Sequence, residues 1–101
     1  MPYYVMLTKL TDHGRKSLMK YPGRIWEVNK EVEAMGAKII SQFSLLGEYD
    51  FVNILEAPNN TVIARVAAAI GSRGSVEPLT MSAITIEDLV KELQTAKALE
   101  G

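Results

Sequence analysis

"AKIISQFSLLGEYDFVNILEA", residues 37–57, decides the fold of this chain. Two short apolar runs, 37–46 and 49–57, are separated by a break that contains a glycine, and this pattern predicts two antiparallel strands joined by a tight turn around Gly47-Glu48. Pro58 closes the second strand. A half-buried strand alternates apolar and polar residues, because successive side chains point to opposite faces. These strands do not. Ile39, Phe43 and Leu45 are expected on one side with Ile40 and Leu46 on the other, and Phe51 and Leu55 oppose Val52 and Ile54.

Reading outward, "YYVMLTKL" (3–10) is a further strand, rich in β-branched and aromatic types. It too is apolar on both sides, with Tyr3, Val5 and Leu7 opposite Tyr4, Met6 and Leu10. Thr11 or Asp12 can cap a short helix, "DHGRKSLMK", in which Gly14 costs about 1 kcal/mol relative to alanine. Pro22 interrupts it, and from Arg24 the apolar stripe Ile25, Val28, Val32 and Met35 predicts a second helix that stops at Gly36. After the hairpin, Asn59 or Asn60 caps a helix that buries Val62, Ile63, Val66 and Ile70 and ends at Gly71 or Gly74. Residues 75–85 form the last strand, where Pro78 removes a ladder donor and so predicts an edge or a bulge. Thr85 and Asp88 resemble a capping box and open a final helix carrying Leu89, Val90 and Leu93.

The order is β-α-β-β-α-β with an added C-terminal helix, an α+β, ferredoxin-like pattern that sets both main helices on one face of a single antiparallel sheet. The helices cover one face only. An apolar second face requires a further cover, for which an identical subunit is the simplest candidate, so the chain is expected to form a homodimer or a higher homo-oligomer.

The 101 residues fit one domain, residues 1–101, large enough for its own core. Eleven basic against twelve acidic residues leave a net charge of -1, which predicts no strong attraction to nucleic acid or to a membrane surface. Without cysteine there is no disulfide, thiol nucleophile or thiolate metal site. The opening "MPYYVMLTKL" reads as a strand instead of a signal peptide, and no apolar run approaches the length of a membrane span, so a cytoplasmic location is expected.

Gly47-Glu48-Tyr49-Asp50, followed by an apolar strand and Glu56-Ala57-Pro58, resembles the motif that names the GYD-domain family, small members of the dimeric α/β-barrel group. The block "GSRGSVEPLTMSAIT", with Gly74, Val76, Thr80 and Ala83, is similar to a second family pattern, as are Thr11 and Gly14 of "LTDHG" and the Pro22-Gly23-Arg24 break. Asn59-Asn60 stands where the family pattern has an acidic pair, and Glu77 where a basic residue is common. The resemblance implies a dimeric α/β barrel, with no settled activity. Some proteins of the wider group are cofactor-independent oxygenases or isomerases acting on small substrates, and no cofactor is expected here.

Two roles suit Glu48, Tyr49 and Asp50. Structurally, Gly47 supplies a positive φ, Asp50 bonds backbone groups of the turn and Tyr49 packs at the sheet edge. Functionally, Tyr49 and Asp50 line the mouth of a pocket between sheet and helices, as hydrogen-bond donor and proton acceptor. Asn53, Gln42, Thr80 and Ser82 are polar residues inside otherwise apolar strands, which makes Asn53 and Thr80 the accompanying candidates for binding a small molecule. They can equally pair with one another or across a dimer seam. If the chain is an enzyme, Tyr49 or Asp50 is the acid–base group and His13, the lone histidine, a third candidate; no metal site is expected around it. Arg15, Lys16, Lys20 and Arg24 form either a solvated face or an anion contact. "GSRGS" (71–75) follows a helix instead of preceding one, so it is a loop and not a phosphate cradle. Tyr49 and Phe51 have the spacing of stacking aromatics in RNA-recognition modules, but Glu48 and Asp50 beside them repel a phosphate backbone.

Overall fold

The computed structural model describes residues 1–100. The elements run β1 (Tyr3–Leu10), α1 (Asp12–Lys20), α2 (Arg24–Ala34), β2 (Lys38–Ser44), β3 (Phe51–Glu56), α3 (Asn60–Gly71), β4 (Val76–Ala83) and α4 (Ile86–Glu100). The four strands form one sheet in the order β2-β3-β1-β4 with every neighbouring pair antiparallel, which is the ferredoxin-like α+β arrangement. β4 lies at an edge, where the missing N–H of Pro78 is tolerated.

Caps fall where the side chains predict them. Thr11 accepts from Gly14 N to open α1, and Asn59 accepts from Val62 N at 3.0 Å to open α3. Asp88 N donates to Thr85 Oγ1 at the start of α4. The stripe of α2 reaches the core through Val32, with Val28 and Met35 packed beside it, and α3 buries Ile63, Val66 and Ile70 while Val62 stays half-buried. Gly36 has a φ of 104°, the left-handed conformation that ends α2 at low cost.

Two expectations are corrected. The connection between β2 and β3 is six residues, 45–50, and not a tight turn at Gly47-Glu48; Gly47 does take a positive φ, of 143°. Second, Ile39 and Phe43 do not share a face. A bulge between Ile39 and Ser41 shifts the register by one residue, so Ile39 pairs with Leu55 under the helices while Phe43 pairs with Val52 on the opposite face. Trp26, which stands beside the stripe of α2, is 67% exposed.

Gly14 has a packing reason that offsets its poor helix propensity. A Cβ there would lie 2.0 Å from the carbonyl oxygen of Ser75, because α1 is drawn against the segment before β4. Thr11 makes that junction: its N–H donates to Ser75 O at 3.0 Å and its hydroxyl to Gly74 O at 2.6 Å.

The register divides the strands into two sets of rows. Under the helices lie Ile39–Leu55–Tyr4–Ser82, Gln42–Asn53–Met6–Thr80 and Ser44–Phe51–Thr8–Pro78. On the open face lie Phe43–Val52–Leu7–Leu79 and Ser41–Ile54–Val5–Met81, two nearly unbroken apolar rows across all four strands. Oppositely charged cross-strand pairs flank them, Lys9 with Glu77 at one end and Lys38 with Glu56 at the other. Phe43, Leu79 and Met81 are 61%, 44% and 42% exposed. α4 is about 22 Å long and none of its residues is buried, leaving Leu89, Val90 and Leu93 exposed on a molecule 60 Å in its longest dimension.

Candidate functional site

Between the covered face of the sheet and helices α1, α2 and α3 lies a cavity of about 130 Å³. That is roughly ten times what a single buried water requires. Its walls are apolar, from Met6, Leu10, Leu18, Ile25, Phe51 and Val66 among others. Its polar wall centres on one row of the sheet and one residue of α2.

Asn53, on β3, is 8% exposed, and its amide group donates to Met6 O at 2.9 Å. That bond to a backbone carbonyl orients the side chain, because only the Nδ2 end can face an acceptor. The Oδ1 end of Asn53 therefore faces Gln42 and accepts from Gln42 Nε2 at 2.8 Å. Gln42 is oriented in turn and pairs head to tail with Asn29 of α2, through bonds of 2.9 Å and 3.1 Å. One carbonyl of β1 thus fixes the direction of three amides in series. After these bonds Asn29 Nδ2 and Asn53 Nδ2 each keep one N–H, while both hydrogens of Gln42 are engaged. Thr8, buried on β1, and Ser17 of α1 add hydroxyls to the wall. Donors and acceptors both remain on this wall, since each amide oxygen accepts only one of these bonds.

Arg24 of α2 and Arg73 after α3 lie on the cavity wall with side chains 41% and 36% exposed, which sets them at its mouth. Glu31 pairs with Arg73 and stands 3.8 Å from Arg24, whose guanidinium donates to Glu27 at 2.8 Å. The hydrogen bond to Glu27 raises the Arg24 pKa; burial works against it, and the charge of Glu31 adds to the rise. No carboxylate among the described residues lines the cavity.

Asn53 and Gln42 line this cavity, and Thr80 occupies the same sheet row beyond Met6 without lining it. The Thr80 hydroxyl is buried with no hydrogen-bond partner among the described residues. Asp50 also lies off the wall: its carboxylate accepts from Leu10 N at 2.7 Å and its N–H donates to Thr8 O at 2.9 Å, so it ties the connection to the end of β1. Tyr49 is half-buried beside it, and Ser82 is exposed on the edge strand. His13 is exposed on α1, and no group of three or more His, Cys, Asp or Glu that could hold a metal ion occurs among the described residues. No helix among them is long and apolar enough to cross a membrane. Asn29, Arg73, Thr8 and Ser17 are polar residues of the site that sequence reasoning did not single out. The signal for Asn29 was available, as a polar residue one position from Val28 in the α2 stripe.

A small α+β protein with one covered and one bare sheet face, and a polar-walled cavity under its helices, is the class that the fold and site define. The chain matches the GYD domain family model over residues 4–93 and belongs to that family. It is 43% identical over 95 residues to a Thermus thermophilus protein named glutamine synthetase and cystathionine beta-lyase binding protein, with 93% of this chain and all of that protein covered. Among solved structures it resembles FFRP-DM1, with a TM-score of 0.55, 20% identity, and 83% of this chain and all of that one covered. A dimeric ferredoxin-like protein from an uncultured marine organism is more distant, with a TM-score of 0.41, 9% identity and 85% and 95% of the two chains covered.

Proposed function

We propose that this protein is a homo-oligomeric binding module that docks on a metabolic enzyme and carries a small-metabolite cavity in each subunit. One observation carries the association: two apolar rows span the open sheet face between charged rims, the composition of a protein–protein interface core and its border. A second copy of the sheet covers that face as a dimeric α/β barrel, and the bare apolar side of α4 remains for a further contact. The name of the Thermus relative supports an enzyme of the glutamine synthetase or cystathionine β-lyase kind as the partner; the cytoplasm is the compartment we propose for the pair. Mixing the purified chain with each enzyme from the same organism and measuring the complex by sedimentation tests this. No complex with either enzyme, from a chain that is itself oligomeric, rejects the docking role and leaves the self-association standing.

The metabolite role rests on the directed amide row of Asn29, Gln42 and Asn53 in an otherwise apolar cavity, which is how small-molecule sites are built. Asn53 is its most buried amide; Asp50 acts on the site through the end of β1 that it holds, and Tyr49 and Thr80 stand outside the wall. Binding is favoured over the alternative, a cofactor-independent oxygenase or isomerase, because the polar groups on the wall are amides, hydroxyls and arginines. None of these is an acid–base group in its ordinary range near neutral pH.

A further inference from the structure

We propose that the cavity takes a small amphipathic carboxylic acid, its apolar chain among the core side chains and its carboxylate at the Arg24–Arg73 mouth in place of Glu31. The proposal rests on the cavity being a binding site and names the class of occupant. Its walls set the first requirement. Side chains such as Leu18, Ile25, Phe51 and Val66 surround the interior, so most of the ligand must be apolar.

The charges set the second. Both ionic groups on the wall are arginines, and the nearby carboxylates, Glu27 and Glu31, stand outside the lining. A carboxylate taking the place of Glu31 would meet two guanidinium groups whose planar donors match it, whereas an ammonium group there would face two like charges. Glu31 already bonds to Arg73 and lies 3.8 Å from Arg24, the arrangement a ligand carboxylate would adopt. It acts as an internal competitor. With its side chain 39% exposed, it can turn into solvent when displaced.

The test uses three six-carbon probes on the full chain, hexanoate, 1-hexanol and hexylammonium, with affinities from calorimetry and thermal shift. Hexanoate is expected to bind most tightly. Arg73→Gln and Arg24→Gln are each expected to weaken it roughly tenfold, the loss of one charge-assisted contact at a partly exposed site. Glu31→Gln is expected to tighten it, and 1-hexanol should respond to none of the three changes. Tighter hexanoate binding after Glu31→Gln separates competition from a structural role, since a variant that merely loosened the fold would bind every probe less well. If 1-hexanol or hexylammonium binds as tightly as hexanoate and the arginine variants change nothing, the carboxylate class is wrong while the cavity remains a binding site. If no probe binds the folded parent chain, the cavity is not such a site, and the proposal falls with it.

Discussion

Phe43 offers the sharpest test of how this protein assembles. The bulge at Ile39/Ser41 turns its ring to the open face, where it sits on an edge strand and is 61% exposed. In a lone subunit that ring contributes little, and Phe43→Ala should change folding stability by no more than about 0.5 kcal/mol. In a face-to-face dimer the exposed part is covered. For an aromatic side chain of about 200 Å² this is about 120 Å² of apolar area, or about 3 kcal/mol at the usual coefficient; alanine keeps part of it, leaving about 2 kcal/mol. A two-fold interface counts the change twice, so the dimer loses about 4 kcal/mol and its dissociation constant rises roughly a thousandfold. Sedimentation velocity over a dilution series measures the constant, and a circular dichroism melt at high dilution checks the fold. A dissociation constant that stays at the parent value would refute the assignment of this face to the dimer. So would a parent chain that remains a folded monomer at high concentration.

Gly14→Ala should destabilise the chain despite alanine's better helix propensity. Relieving the clash of a Cβ 2.0 Å from Ser75 O moves α1 away and strains the Thr11 bonds. That costs about 3 kcal/mol against about 1 kcal/mol gained, and lowers the melting temperature by on the order of 10 °C. Thr80→Val has the opposite sign: it keeps the shape and removes a buried hydroxyl that has no partner, which should stabilise the chain by about 1 kcal/mol in urea unfolding. Asn53→Leu leaves Met6 O and Gln42 without their partner and should cost about 2 kcal/mol, with any ligand-induced thermal shift lost. Removing residues 86–101 should leave the melting temperature of the body nearly unchanged, because α4 contributes no buried residue to the core. It should abolish any assembly or enzyme contact beyond the dimer, as read by native mass.

Much of this molecule was legible in its residues because the signals are local. Asn59, Thr11 and Thr85 each cap the helix they precede, and such bonds span only three residues. The helical stripes of α2 and α3, the edge position of Pro78 and the apolar character of both sheet faces follow from periodicity and backbone chemistry that every short segment carries by itself. Periodicity also singled out Asn53, Gln42 and Thr80, since polar residues in apolar strands stand out without a partner in view.

Tertiary pairing decided the rest. Which face receives Phe43 depends on a one-residue bulge, and a register shift leaves no trace in composition because its energy lies in contacts with a strand more than ten residues away. Asp50 is a turn residue by sequence, yet its carboxylate bonds to Leu10, forty positions distant. Gly14 reads as a weak point in a helix until Ser75, from the far end of the chain, occupies the space of its missing Cβ. Asn29, Gln42 and Asn53 become one directed row only when α2, β2 and β3 meet, and the charge of the cavity mouth exists only where Arg24 and Arg73 converge on Glu31. Sequence fixes what each segment prefers; long-range packing chooses which of those preferences meet, and the site is made of such meetings.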